Sequence, residues 1–371
     1  MSVTPNELVL YGSVKMPEAD GVTVGGAVDF TKRVAFYDLS ANDTIDAVSS
    51  ATSDTGVKLQ VTGRNVSGAL TTSAVATLNG TTPITNVGTL GTIARLEYAI
   101  ITNGNTASGS TFPLTNPGGT AATGDVAVYR HTPVISAHTM QTGSANTSGT
   151  TPPLAKLQSG DGASVAPGQI IICTGGTGVG QIRMIIANTG YGTDFVAVNR
   201  DWGTVPDNTT TYNVVQGMLF DISPNPVTAI TRCFATAQAD IPGGSNRVFY
   251  EKVFAVNNDT ATDLTGANIQ IASDSPSLPS GALLDLGLND VLNDTGTSTN
   301  RQTLPTNGDS TSITFVTQPS PVSIPQSPGS LPHGAAPNAS GAQGIWLRLT
   351  LPAGTTAYAG AANVQIAGST T

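Results

Sequence analysis

Residues Val57 to Thr62 read VKLQVT, and this stretch decides the fold. Val57, Leu59 and Val61 alternate with Lys58, Gln60 and Thr62, a period of two that an extended strand converts into one apolar and one polar face. The expectation is that Val57, Leu59 and Val61 face inward and Lys58, Gln60 and Thr62 face out. Similar alternation recurs in Val126 and Val128 with Ala127 and Tyr129, after the Gly124-Asp125 turn. It returns near the end, where Ile345, Leu347, Leu349 and Leu351 alternate with Trp346, Arg348 and Thr350. Short runs of this kind between turn residues predict an all-β chain: two or three small antiparallel β-sandwich, Ig-like or barrel domains in tandem, with little helix. The single helical candidate is Gly281 to Asn293, GALLDLGLNDVLN, weakened by the internal Gly287.

Composition agrees with that reading. The 371 residues include 15 Lys and Arg and 24 Asp and Glu, 11% charged, against about 25% in ordinary soluble domains. Threonine fills the gap with 54 residues, beside 42 Gly and 23 Pro. Helical bundles and coiled coils need Ala, Glu, Lys and Leu in quantity, so both are excluded. The net charge of −9 and the scattered lysines argue against a nucleic-acid surface, which needs clustered cations to release counterions. No apolar run approaches the roughly 20 residues that cross a bilayer. The opening MSVTPNELVLYG has no basic stretch followed by an apolar one, so no cleaved secretion signal is expected and synthesis in a cytoplasm is. Cys173 and Cys233 fall in separate β segments and read as buried free thiols.

Loss of apolar pattern marks the expected boundaries. An N-terminal sandwich covers 1–140, and QTGSANTSGTTPP inside 141–154 reads as a linker. A small β module covers 155–217, with a break near Val215 to Pro226, and a C-terminal Ig-like sandwich covers 218–371. Within the last, 318–344 carries Pro319, Pro321, Pro325, Pro328, Pro332 and Pro337, which predicts a loop or arm rather than core.

GGTGVG, Gly175 to Gly180, has the glycines of a phosphate-binding loop, but Gln181 and Ile182 stand where Lys and a hydroxyl residue are needed. A tight glycine turn between two strands is the reading, and no cofactor is expected. His131, His138 and His333 match no nucleophile elbow or zinc spacing, and all three read as surface or loop residues. The odd spacing of His131 and His138 would place them on opposite faces of one strand. Asp259, Asp263, Asp285, Asp290 and Asp294 could supply oxygen ligands to calcium, but no D-x-D-x-D-G loop is present, so no metal is expected.

The middle block, Gly175 to Val215, reads GGTGVGQIRMIIANTGYGTDFVAVNRDWGTVPDNTTTYNVV. It resembles a module of tailed-bacteriophage virion proteins with the pattern GTGAGQxRxIxxYxGxTxxAxVxxxWxxxPDxTSxY. Gly176, Gly178, Gly180, Gln181, Arg183, Ile185, Val196, Val198, Trp202, Pro206, Asp207, Thr210 and Tyr212 match it; Asn188 and Thr211 depart from it. Physically, the glycines form a turn, Arg183 and Trp202 brace adjacent strands, and Pro206-Asp207 starts the turn before the last strand. Val57 to Ile100 is similar to a second phage structural module through Thr62-Gly63-Arg64, Gly68 and the run from Thr77 to Pro83. Asn79-Gly80 there is a type I′ hairpin signal.

The likeness touches about half the chain and implies a non-enzymatic virion protein. A decoration or cement subunit on the capsid surface is favoured, bound to the major capsid protein or other virion proteins and forming a homo-oligomer, a trimer among the options. It would bind no nucleic acid and no membrane. The acidic balance favours an outward location. Alternatives are a tail, neck, baseplate or host-binding adhesin protein, a carbohydrate-binding surface protein, and, ranked last, a polysaccharide hydrolase.

Overall fold

A computed structural model describes residues 3, 7–16, 22–102, 118–141, 147, 152–188, 190–223, 226–234, 246–275, 278–325, 329–334, 341–355 and 361–370. Among them the chain is all-β, its helical content confined to two short 3-10 turns at Val87–Thr89 and Asp161–Ala163.

The first strands are β1 (Leu8–Lys15), β2 (Val24–Arg33), β3 (Ile45–Ser49), β4 (Lys58–Asn65), β5 (Leu70–Thr72), β6 (Ala76–Thr77), β7 (Ile93–Ile101) and β8 (Val126–Arg130). The middle of the chain supplies β9 (Ile135–Thr139), β10 (Leu154–Lys156), β11 (Ile170–Gly175), β12 (Ile182–Ala187), β13 (Phe195–Val198), β14 (Thr211–Val215) and β15 (Gly217–Phe220). Then come β16 (Ala229–Thr231), β17 (Arg247–Asn257), β18 (Leu264–Ser275), β19 (Leu283–Leu292), β20 (Thr297–Ser298), β21 (Val316–Thr317), β22 (Val322–Ser323), β23 (Ala342–Leu351) and β24 (Ala361–Thr370).

A 12-stranded sheet runs β21-β19-β23-β17-β1-β2-β16-β7-β4-β5, with β20 on β2 and β6 on β4. Three smaller sheets accompany it: β15-β8-β3, β22-β18-β24, and the six-stranded half-barrel β10-β13-β12-β11-β14-β9. Among the described residues pairing between strands is antiparallel except between β16 and β2.

Layering follows from which face of each strand is apolar. Leu59, Val61, Ala99, Ile101 and Ile230 of the large sheet pack on Ile45, Ala47, Val126, Val128, Met218 and Phe220 of β3, β8 and β15. The opposite face of that small sheet, with Val48, Ala127, Tyr129 and Leu219, packs on Ile170, Ile172, Ile182 and Val215 of the half-barrel. The sheet β15-β8-β3 is therefore a middle layer buried on both faces. This explains why β8 alternates between two kinds of apolar residue instead of between apolar and polar ones. At the other end, Ile269 and Ile271 of β18 pack against Leu286, Leu288, Ile345 and Leu347, closing a sandwich on the large sheet.

Several expectations need correction. The helical candidate Gly281 to Asn293 is the strand β19. Its Leu286 and Leu288 share one face toward the core, and that period of two, already present in LLDLGL, wins over the helical spacing. Gly287 has its own cause: a β-carbon there would lie 2.5 Å from Ile313 Cγ2. Thr62 is buried rather than outward, its Oγ1 3.0 Å from that of Thr72 on the paired strand β5. Cys173 lies on β11, but Cys233 lies in a turn after β16; both thiols are free.

The Pro-rich stretch 318–344 is partly core. Val322–Ser323 pairs with β18, Leu331 and Ile324 are buried, and Leu331 exchanges backbone hydrogen bonds with Leu264 at 2.9 and 3.1 Å. Residues 326–328 and 335–340 of it lie outside the described residues. Proline lacks only its own amide hydrogen, so the intervening Val322 and Leu331 remain free to pair.

Strand pairing also cuts across the expected boundaries at 140 and 217. β9 joins β14 in the half-barrel, β15 joins β8 in the middle sheet, and β1 joins β17 in the large one. Of the expected linker 141–154, residues 142–146 and 148–151 lie outside the described residues. Its ends belong to the half-barrel, where Gln141 N donates to Lys156 O and Thr147 N to Leu154 O at 3.0 and 3.1 Å.

Candidate functional site

The motif residues gather on the half-barrel and at its joint with the middle layer. Gly176, Gly178 and Gly180 adopt φ values of 70°, 78° and 88° in the turn between β11 and β12. Positive φ at alternate positions is cheap only for glycine, and the turn leads into a strand. At Gly176 a β-carbon would lie 1.9 Å from Thr209 O, so the neighbouring loop also forbids a side chain.

Gln181 ties that turn to the loop after β13. Its Nε2 donates to Thr204 O at 2.6 Å and Gly178 O at 3.2 Å, and its Oε1 accepts from Thr204 N at 3.1 Å. Arg183, on β12, stacks over Trp202 with its guanidinium carbon 5.2 Å from the ring centroid. Arg183 Nε donates to Asp201 O at 3.0 Å, while Trp202 Nε1 donates to Leu154 O at 3.1 Å on β10. Trp202 lies in a loop, so the brace runs from β12 through a loop to β10 and not between two neighbouring strands. Pro206 is buried, and Asp207 accepts from Thr209 N and Thr177 Oγ1 at 2.8 and 2.9 Å, closing the turn before β14. Those bonds, from Thr209 first, hold the Asp207 carboxyl below its ordinary value.

Tyr212, on β14, is fully buried and donates to Asp161 Oδ2, the same oxygen that His138 Nδ1 meets at 2.8 Å. Burial first, then the bond to Asp161, pushes the Tyr212 hydroxyl up, so it stays protonated.

The second motif closes differently from its expectation. Thr82 N donates to Asn79 O at 3.1 Å, which makes Gly80 and Thr81 the central residues of the turn. Gly80 alone among Asn79, Gly80 and Thr81 has positive φ, at 58°, the sign pattern of a type II′ turn rather than I′. A single antiparallel bridge, Asn79 to Thr82, closes the turn, and beyond it the flanking segments pair elsewhere, Thr77 with Lys58 and Ile84 with Ala47. The turn is docked: Ser49 N donates to Gly80 O at 3.0 Å, and Gly80 N to Asp54 O at 3.3 Å. Asp54 is buried and accepts from Ser49 Oγ, Thr123 N, Thr123 Oγ1 and Gly124 N at 2.6, 2.9, 2.7 and 3.1 Å. Burial opposes the Asp54 charge, but these four bonds win and hold its carboxyl low.

The two motifs meet. A β-carbon on Gly180 would lie 3.2 Å from Thr81 Cγ2 and 3.8 Å from Ser50 O. Near this contact a set of charges joins the motif residue Arg183 to Asp125, Arg200, Asp221 and Arg33, which are not among the matching positions. Arg183 Nη1 lies 3.5 Å from Asp125 Oδ2, which also bonds Arg200. Asn199 Nδ2 donates to Asp221 Oδ1 at 2.9 Å, and Asp221 faces Arg33 of β2 at 3.6 Å. The set spans all three layers. Burial first, and the nearby Asp221, push the Asp125 carboxyl up to about 6 against the pull of Arg200. In the sequence Asp125 stands only as a residue of the Gly124-Asp125 turn. The one available signal is an acid opening an otherwise apolar strand, which does not tell a cap from an ion pair.

All three histidines carry a carboxylate on Nδ1: Asp46 at 2.7 Å for His131, Asp161 at 2.8 Å for His138 and Asp263 at 2.6 Å for His333. His131 follows β8 and His138 lies within β9, so they do not share a strand. Among the described residues no three His, Cys, Asp or Glu stand together as a metal site, and no helix is long and apolar enough to cross a membrane. Asp294, one of the calcium candidates, is bonded by Lys252 Nζ at 2.7 Å. No family model, curated protein or solved structure matches the chain.

Proposed function

We propose that the chain is a non-enzymatic structural protein of a tailed-phage virion, decorating or cementing the capsid surface through contacts with the major capsid protein and its own copies. The observation that carries this reading is the contact of the Gly180 turn with the Thr81 turn. The two segments that resemble virion modules form one joint, braced by the Asp125 and Arg183 pair near it. The polar side chains of the motif support it too. Gln181, Arg183 and Asp207 bind loop backbone and neighbouring hydroxyls, the work of holding a rigid scaffold. Threonine-rich strand faces give stiffness without long charged side chains whose rotamer entropy is lost on burial.

The test is mass spectrometry and electron microscopy of purified particles with and without the gene for this chain. Hundreds of copies on the head surface are expected. Absence from particles would overturn the reading, and a few copies confined to the tail or neck would move it to the alternative virion location.

A further inference from the structure

Every open sheet has edges, and an edge strand offers unpaired backbone groups to any other strand unless it is short, charged or covered. Here β5, β10, β21 and β22 are kept to two or three residues, and β3, β9 and β15 to four or five. β24 is the exception. It has 10 residues, AANVQIAGST, with no charge and no proline, and among the described residues it pairs with β18 alone.

The orientation of its backbone follows from β18. Ala267 N donates to Gly329 O and Ile271 N to Gln318 Oε1, so the groups of both residues point away from β24. By alternation those of Gln270 point toward it, and Gln270 is paired with Gln365. The groups of Gln365 are thus spent on β18, and those of Val364 and Ile366 face the open edge. The side chains of Val364 and Ile366 are half-buried against the sandwich core, while Gln365 is exposed on the other face and accepts from Gln270 Nε2 at 2.6 Å.

We infer that β24 pairs antiparallel with β24 of a second copy of this chain, about a two-fold axis at Gln365. In this register Val364 of one copy exchanges both backbone bonds with Ile366 of the other, and the reverse, using the groups that face the edge. The two apolar side chains meet on the core face and extend the sandwich core across the axis. On the outer face Gln365 meets its own copy, flanked on each side by Gln270. A strand without charge meets itself without repulsion, and a two-fold contact of this kind closes. The inference deepens the reading of the chain as an assembling subunit and rests on it.

The register makes a sharp test. Gln365 opposite Gln365 is a non-hydrogen-bonded pair, with Cα atoms about 4.5 Å apart. Ala367, on the same outer face, would stand opposite Asn363, about 13 Å along the strand from its own copy. That distance exceeds the roughly 7 Å a disulfide spans. Gln365→Cys and Ala367→Cys chains are oxidised mildly and run on non-reducing gels, with the wild type, which holds Cys173 and Cys233, as background. Gln365→Cys should give at least about tenfold more homodimer than Ala367→Cys, from the difference in reach. In sedimentation velocity Gln365→Lys, which sets two cations face to face, should weaken wild-type dimerisation at least about tenfold.

Equal cross-linking of the two cysteine variants, or linkage of Cys at 365 to a different protein in particles, would overturn the pairing. So would a wild type that stays monomeric while the Gln365→Cys chain fails to cross-link. The virion reading is read separately. Cross-linking with no chain in particles keeps the pairing and sinks that reading, and particle-borne chain without cross-linking does the opposite.

Discussion

Gly180 and Thr81 touch so closely that a methyl group on Gly180 would lie 3.2 Å from the Thr81 side chain. The two turns lie far apart in sequence and belong to different sheets, yet each is shaped by a glycine with positive φ. The contact fixes the half-barrel against the layer beneath it, so the turn glycines answer to different demands.

Three alanine substitutions separate those demands. Gly190 has φ 90° and nothing near its missing β-carbon, so Gly190→Ala should cost only the left-handed backbone penalty, about 1 kcal/mol. Gly180→Ala adds a tight contact with a threonine methyl that can yield, and should cost slightly more. Gly176→Ala would drive into Thr209 O at 1.9 Å and should cost about 3 kcal/mol or more. Urea unfolding of the three variants checks the order; equal losses would show that φ alone matters.

Asp125 should leave a signature in the pH dependence of stability. Its carboxyl is raised by burial from 3.8 to about 6, so the folded chain holds the proton more tightly than the unfolded one. The stabilising contribution is complete below 3.8 and is lost as pH rises through 6. Its ceiling is about 3 kcal/mol, from 1.4 kcal/mol per pH unit. Asp125→Asn should remove this component, seen as the difference between wild-type and variant urea midpoints from pH 4 to 7. A wild-type advantage that grows as the pH rises from 4 to 7 would reverse the assignment.

Asp54 has the opposite sign. Hydrogen bonds hold its carboxyl low, so its contribution is present above the unfolded value of 3.8 and is lost on acidification. Asp54→Ala strands two hydroxyls and two amides, and should cost about 3 kcal/mol at pH 7. Calorimetry at pH 7 and pH 3 should show the gap between wild type and variant narrowing in acid.

His131 should titrate above 6.5 in the native protein, raised first by its hydrogen bond to Asp46 and then by the charge of that carboxylate. The pair stabilises the fold below the unfolded value of 6.5 and the effect is lost as pH rises through the native one. In an NMR titration the His131 midpoint should fall in Asp46→Asn, with the weaker pull of Asp43 left in place. An unchanged midpoint would remove Asp46 as the cause.

Local order was legible in the residues themselves. Val57, Leu59 and Val61 are buried as their period of two requires, and the glycines between Ile172 and Ile182 make the turn between strands that their spacing implies. These features depend on φ, ψ and side-chain alternation within a few residues, and the chain carries that information locally. Where local signals conflict, as in Gly281 to Asn293, helical spacing competes with a period of two, and pairing with β23 makes the strand.

Tertiary structure alone decided the rest. Alternation assigned Ala127 and Val128 to opposite faces of β8, but only the stacking of three layers buried both. Asp125 lies in the chain far from Arg183 and Arg200, and no spacing rule joins them, because an ion pair depends on distance in space. For the same reason the open edge of β24 is invisible in AANVQIAGST: whether a strand is interior or edge is a property of its neighbours. Sequence by itself determined that this chain folds as strands and turns; packing decided which faces, charges and edges those strands share.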